Sequence, residues 1–511
     1  MIQRRRNRKN NQNRKGLGQL NTEAIIFTGV AIYLVMMLII GIYASRRTGS
    51  SANFIVAGRR MPVWIGSVTI IATWFGGGSM MGGAGASYDD GLLGVIADPF
   101  GAALCLFFVG FFFVRLFHRL RLLTWVDFFE TRFGKVAATI AAVGSIGATI
   151  GWVGAMLVAF GLVFQSLTGV PMYLGIIGGA LVIFVYTVAG GLWAVALTDF
   201  VQMVIIAIGL ILLLVVVLID VVGWGAISAQ LPEDTFRMVP PESTWENWLN
   251  YFRAWLIFGL ADVTSQSLLQ RAFAAKSEQV AQNSFYFGFA GYLLLGMIPV
   301  MLGIIASVTM PGIVDSETVI PELAIAHLHP VAIAIFVGAL MAAIMSSADS
   351  ALLASASLFS VNVLPLFKAQ VSDRGRLLAT RIAIPVFGTV AVFIALKVQL
   401  VFDLMIDANS VLLVSVVVTF VAGVWWKKAN RSGALASMAA GFVVWISAVL
   451  FAPDLPGDVL GLVAALVVIV IVTNLTQKLD PPAPLRSTDG EEVEMKDRLG
   501  TLPLFRRAEG M

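Results

Sequence analysis

ATWFGGGSMMGGAG, residues Ala72 to Gly85, lies inside an apolar stretch long enough to cross a membrane, yet it sets three consecutive glycines where a spanning helix should be strongest. Glycine in a helix interior costs about 1 kcal/mol relative to alanine. The spacing therefore predicts a broken helix. Inside lipid, an opened backbone is tolerated only where protein buries it or where it lines a polar cavity. The break is thus a candidate binding site.

The surrounding composition fits that reading. Hydrophobic residues make up 58% of the 511-residue chain and charged residues only 13%, against about 25% in soluble domains, and the mean hydropathy is +0.88. This is an all-α polytopic membrane protein. Apolar windows of roughly 20 residues recur about thirteen times between residues 24 and 476. A basic N-terminal tail, 1–23, precedes them, and a Pro-rich, charged tail, 477–511, follows and reads as disordered and cytoplasmic. No inserted soluble domain interrupts the membrane domain.

Positive charge alternates between the short loops. Arg46, Arg47, Arg59 and Arg60 follow the first crossing, Arg115, Arg119, Arg121, Arg132 and Lys135 the third, Arg271 and Lys276 the seventh, and Lys427, Lys428 and Arg431 the eleventh. The intervening loops are neutral or acidic. The bias predicts an outside N-terminus and an inside C-terminus, in the cell (plasma or inner) membrane. The N-terminal arginines, Arg4, Arg5, Arg6 and Arg8, run against it.

Thr124 to Gly134 has the near-helical apolar spacing of an interfacial segment. The lone cysteine, Cys105, cannot form an intramolecular disulfide, and His118, His327 and His329 make no metal motif. The two later histidines read as solvated loop residues. No metal beyond Na⁺, no cofactor, no catalytic residue and no nucleic-acid partner is expected.

A second interruption, GLADVTSQS from Gly259 to Ser267, falls five crossings after the first. That spacing fits a five-plus-five inverted repeat with broken helices at equivalent positions. The ninth crossing carries MSSADS, in which Ser346 and Ser350, and also Ser347 and Ser350, share a helix face. Hydroxyls there suit a hard cation or simply let helices pack closely; spacing leaves both open. Asp199 lies near the inner end of the sixth crossing, and an ionisable residue at membrane depth is functional by default. Asp262 could neutralise a cation or cap the half-helix that follows. Asp349 could contact an ion or an inner-side arginine. Trp74 adjoins the glycine triplet and Trp152 sits in the fourth crossing; aromatic faces hold cationic amines.

Four motifs in order, ATWFGGG, GGLWAVALTDFVQ (Gly190 to Gln202), LLQRAF (Leu268 to Phe273) and MSSADSALLASAS, resemble the sodium:solute symporter family, with the likeness running from about Ala24 to Trp426. The resemblance implies a LeuT-type ten-helix core and uptake of a small organic solute driven by Na⁺. It implies a sodium site made by the carbonyls of Ala72, Phe75 and Ala343 and the hydroxyls of Ser346 and Ser347, with Asp199 on the release path. ATW-GGG and MSSADS are most similar to the high-affinity choline transporter branch, where tryptophans cage a quaternary ammonium and Trp74 and Trp152 match. Where that branch has a further Trp before the Gln-Arg pair, this chain has Ser265.

The solute is therefore expected between the second and seventh crossings, near Trp74, Gly76, Gly77, Trp152, Asp262, Ser265 and Gln266, and to be a choline-like cationic or zwitterionic amine. An amino acid such as proline, or a small carboxylate, is the alternative substrate, and a transporter-like sensor the alternative class. Partners are Na⁺, the solute and the bilayer; oligomeric state is not legible.

Overall fold

A computed structural model describes residues 25, 27–43, 49–221, 223–368, 370–398, 409–487, 490–493 and 498–500. The basic N-terminal tail, with Arg46 and Arg47, lies outside the described residues. Among the described residues, eight helices are long and apolar enough to span a membrane, or nine when a bent pair is taken as one span.

That bent pair is the predicted break. Helix α1 (Phe27–Tyr43) comes first, then α2 (Val63–Trp74) and α3 (Gly78–Gly94), which meet at 65°. The chain turns at Phe75, where ψ is 77°, whereas Gly77 is already helical. The glycines answer to crowding as much as to backbone freedom. A Cβ on Gly76 would stand 2.6 Å from Ser347 Oγ, and one on Gly77 2.8 Å from Ala159 Cβ.

Helix α4 (Ile96–Leu120) follows, then the short buried-face helix α5 (Val126–Phe133), α6 (Lys135–Thr168) and α7 (Met172–Asp220). At about 1.5 Å per residue, the 49 residues of α7 are far longer than a bilayer core is thick. Gly191 divides it, with φ 54° and ψ −150°, where an added Cβ would strike the Phe54 carbonyl at 2.5 Å. Only glycine takes that conformation freely.

The second interruption is also real. Helix α8 (Trp245–Gly259) stops, Ala261–Thr264 forms one 3₁₀ turn, Ser265 is extended, and α9 (Gln266–Ala274) resumes. After α10 (Glu278–Thr309) come α11 (Val319–His327), α12 (Pro330–Phe367), α13 (Asp373–Lys397), α14 (Asn409–Trp425), α15 (Arg431–Phe451) and α16 (Gly457–Thr476). Helix α10 packs along α2, α3 and α4, while α12 packs on α6, α7 and α13, and α15 pairs with α16. Leucine, isoleucine, valine and phenylalanine left exposed on α7, α13, α15 and α16 form the lipid-facing surface.

Two expectations change. The described part of the segment read as a disordered tail is seated against α4, α5 and α14. Arg132 donates to the Ala483 carbonyl, Arg498 caps Val424 and lies 4.6 Å from the Trp425 ring, and Gly500 N donates to the Phe111 carbonyl at 2.6 Å. His327, read as solvated, has its Nδ1 2.9 Å from a carboxylate oxygen of Asp220; one closes α11 and the other α7.

Candidate functional site

The bend exposes carbonyls that a continuous helix would have consumed. One meets the serines of α12: Ser346 Oγ donates to the Ala72 carbonyl at 2.8 Å and lies 2.9 Å from the Ala343 carbonyl, and Ser347 Oγ is 3.5 Å from Ala72 O. Ala72, Ala343, Ser346 and Ser347 therefore converge, all of them buried. Phe75, fully buried, carries the bend itself. The Trp74 carbonyl accepts from Gly76 N at 2.9 Å.

Beside this cluster is a cavity of about 40 Å³ bounded by Thr73, Trp74, Ser145, Trp152, Asp262, Ser265, Gln266, Ser347 and Asn409, among others. Five of the seven expected solute residues border it. Gly76 and Gly77 do not; they face α12 and α6, where they permit close approach. Gln266 borders it but spends its amide elsewhere, with Oε1 accepting from Trp125 N at 3.0 Å.

Asp262 is not a cap. Ser265 is the residue that begins α9, without a side-chain cap bond, and Asp262 instead accepts from Asn409 Nδ2 at 3.3 Å. A carboxylate, two indoles and a ring of hydroxyls thus meet in one place, and among the described residues no Lys, Arg or His borders the cavity. Ser145 Oγ, buried on its rim, has no hydrogen-bond partner among the described residues.

A third cluster lies on the other side of Ser350. Arg271, counted in the sequence as a loop charge, is fully buried and paired with Asp199 at 3.5 Å. Its Nη2 also donates to Ser350 Oγ at 2.5 Å, and its Nη1 to the Ser267 carbonyl at 2.7 Å. Thr69 donates to Asp199. Asp349 accepts from Tyr186 at 2.6 Å and from Ser350 at 3.2 Å and, among the described residues, from no arginine. Removing either charge from such a pair strands the other in a medium that cannot solvate it.

Sequence reading missed Arg271, Tyr186, Asn409, Ser145 and a carboxylate at Asp98. The Gln-Arg pair in LLQRAF was visible as a motif, but burial of its arginine was not. Asn409 lies inside the window of the eleventh crossing, where nothing in the sequence marks it as a partner of Asp262.

The match to known proteins agrees with this geometry. The family model for the sodium:solute symporter family matches residues 54–441. The chain belongs to that family. It is a multi-pass membrane carrier that couples a small solute to Na⁺, and it is not an enzyme. The human high affinity choline transporter 1 is 28% identical over 442 residues, covering 82% of this chain and 76% of that protein. A sodium/proline symporter of Staphylococcus aureus is 24% identical over 510 residues, covering 93% and 97%. A solved Na⁺-coupled sialic acid symporter in a substrate-bound outward-open state is 22% identical with a TM-score of 0.79, covering 90% of this chain and 98% of that one. The fold of this symporter is therefore that of a LeuT-type transporter.

Proposed function

We propose that the symporter imports a choline-like cationic or zwitterionic amine held between Trp74, Trp152 and Asp262. The observation that supports it most is the composition of the cavity wall: two indoles and one carboxylate, with no basic side chain beside them among the described residues. Indole faces attract an ammonium by roughly 0.5–2 kcal/mol depending on desolvation. The carboxylate supplies the compensating charge. An anionic solute would meet Asp262 with nothing but half-helix dipoles to offset it.

The coupling ion sits, in this reading, among the Ala72, Phe75 and Ala343 carbonyls and the Ser346 and Ser347 hydroxyls. These are uncharged oxygens suited to a hard cation. Ser347 lines both the ion cluster and the cavity, which gives coupling a physical route. An ion that fixes Ser347 and the bend lowers the ordering cost for the solute, and by linkage the solute does the same for the ion. Asp199, linked toward the ion cluster through Arg271 and Ser350, serves as the next oxygen group on the inward path.

At about 40 Å³, the cavity has room for water but not for an organic amine. Alternating access must widen it. The reading counts about thirteen spans, with α7 taken as two and α1 and α14 as one each, an outside N-terminus and an inside C-terminus.

The test is radiolabelled uptake into proteoliposomes, comparing choline, betaine and proline under an inward Na⁺ gradient with a K⁺ control. Accumulation of choline or betaine only with Na⁺, abolished when Ser346→Ala is combined with Ser347→Ala, supports the proposal. Accumulation of proline alone would transfer the site to the amino-acid alternative.

A further inference from the structure

Asp98, at the start of α4 and beside the break, does not border the cavity. Its carboxylate is nevertheless built into the cavity wall from behind. Ser79 Oγ donates to Oδ2 at 2.7 Å and the Tyr292 hydroxyl donates to Oδ1 at 2.7 Å. The two hydroxyl oxygens are themselves 2.7 Å apart. Ser79 Oγ is also 3.2 Å from the Trp74 carbonyl, reaching across the bend.

Tyr292 completes the connection to Trp74. Its ring packs edge-on against Trp74 at 6.2 Å between centroids and against Phe75 at 6.1 Å. Tyr292 is 1% exposed and Ser79 5%, so neither hydroxyl has water as a substitute partner.

Backbone packing holds this arrangement from outside. One turn beyond Tyr292 on α10, a Cβ on Gly296 would fall 2.7 Å from Pro99 Cβ; further along, one on Gly303 would fall 2.1 Å from the Ala84 carbonyl oxygen. Helix α10 is thereby pressed onto the start of α4 and onto α3 together. Ser87 Oγ, donating to the Ala84 carbonyl at 2.9 Å and lying 3.0 Å from the Val300 carbonyl, adds a second tie between α3 and α10.

Within this frame a carboxylate has a specific use. It accepts from two hydroxyls at once, which an amide oxygen and its NH₂ cannot both do. A leucine would occupy the space, but would leave the Ser79 and Tyr292 hydroxyls without the carboxylate they donate to.

We infer that Asp98 is a positioning residue for solute recognition: through Ser79 and Tyr292 it sets the orientation of Trp74 at the helix break, while the contact of Ser346 with the Ala72 carbonyl on the α12 side is made without it. The inference rests on Trp74 being a solute contact.

The test uses the full-length protein in proteoliposomes, with Cys105→Ala as background and Ala148→Cys as a reporter on the cavity wall. The rate of modification of that cysteine by a methanethiosulfonate reagent is measured across Na⁺ concentrations, with no solute present. Tyr292→Phe and Asp98→Asn are expected to raise the rate severalfold, because Trp74 no longer shields the cavity, and to leave the Na⁺ concentration for half-protection within about twofold. In choline uptake the same variants should raise KM about tenfold with Vmax little changed. A merely structural role would lower Vmax in proportion to folded protein and leave KM and the modification rate alone.

An unchanged modification rate in both variants overturns the inference. So does a Na⁺ half-protection point that moves in step with the rate, since the carboxylate would then be bracing the whole break. If the parent protein takes up no choline, the solute proposal fails on that arm, and the solute-free rates still decide the role of Asp98.

Discussion

Ser346 donates its hydroxyl proton to the carbonyl of Ala72 at 2.8 Å, joining two helices from residues 274 positions apart. The contact exists only because α2 ends there. A continuous helix would have consumed that carbonyl internally, and no partner on α12 would be needed. Replacing Ser346 with Ala removes one oxygen from the cluster and leaves the Ala72 carbonyl buried with only the 3.5 Å contact to Ser347. The expected result is a rise of tenfold or more in the Na⁺ concentration for half-maximal uptake, at a stability cost of about 1–3 kcal/mol. Unchanged Na⁺ activation would remove Ser346 from the ion site.

Asp262→Asn separates the two solute classes. Uptake of a cationic amine should be lost, since the only carboxylate among the described residues of the cavity wall becomes neutral while Asn409 can still hydrogen-bond to it. Proline or a monocarboxylate should be transported nearly as before. The measurement is competition uptake with each solute, and retained choline transport in the variant would overturn the role given to Asp262.

The Arg271–Asp199 pair is fully buried on both sides. Asp199→Asn alone, or Arg271→Gln alone, should destabilise the protein by about 3–5 kcal/mol, because each leaves an uncompensated charge. The double variant should regain much of that loss. Thermal unfolding in detergent measures the cycle; two single losses that simply add in the double variant would show that the partners are not coupled.

Gly76→Ala carries a steric prediction. Its Cβ would meet Ser347 Oγ at 2.6 Å and Met156 Sδ at 3.0 Å, and Met156 is flexible enough to yield. Ser347 must then rotate away from the break. Weaker Na⁺ activation with intact folding is the expected outcome, read by uptake kinetics and size-exclusion chromatography together. Full activity would mean the ion cluster tolerates displacement of Ser347.

The seated tail is testable without transport. A Cβ on Gly500 would fall 1.9 Å from Gln282 Nε2 and 2.5 Å from the Tyr286 hydroxyl, so Gly500→Val should lift the segment from α4 and α10. Limited proteolysis of the solubilised protein should then cleave beyond residue 476 several times faster. Equal cleavage rates would show the segment is held by Arg132 and Arg498 alone.

Much of the fold was legible in the chain, and for local reasons. Apolar windows of bilayer length, the glycine triplet, the GLADVTSQS interruption and the MSSADS run each state their meaning within about 20 residues. Helical spacing placed Ser346 and Ser350 on one face. The family motifs then joined these pieces in order.

What the tertiary structure alone decided concerns partners far apart in sequence. LLQRAF reads as a helix end followed by a charged loop, and only the packing of α9 against α2 and α12 turns Arg271 inward to Asp199 on α7. Asp98 is one acidic residue before a proline until α10 brings Tyr292 to it, 194 positions later in the chain. The glycines at 76 and 77 read as helix weakness, but it is the approach of α12 and α6 that excludes a side chain there. Periodicity determines which residues a helix turns toward the protein interior. Which groups they meet there depends on three-dimensional packing, because a buried charge or hydroxyl finds its partner through the shape of the whole bundle and not through its neighbours in sequence.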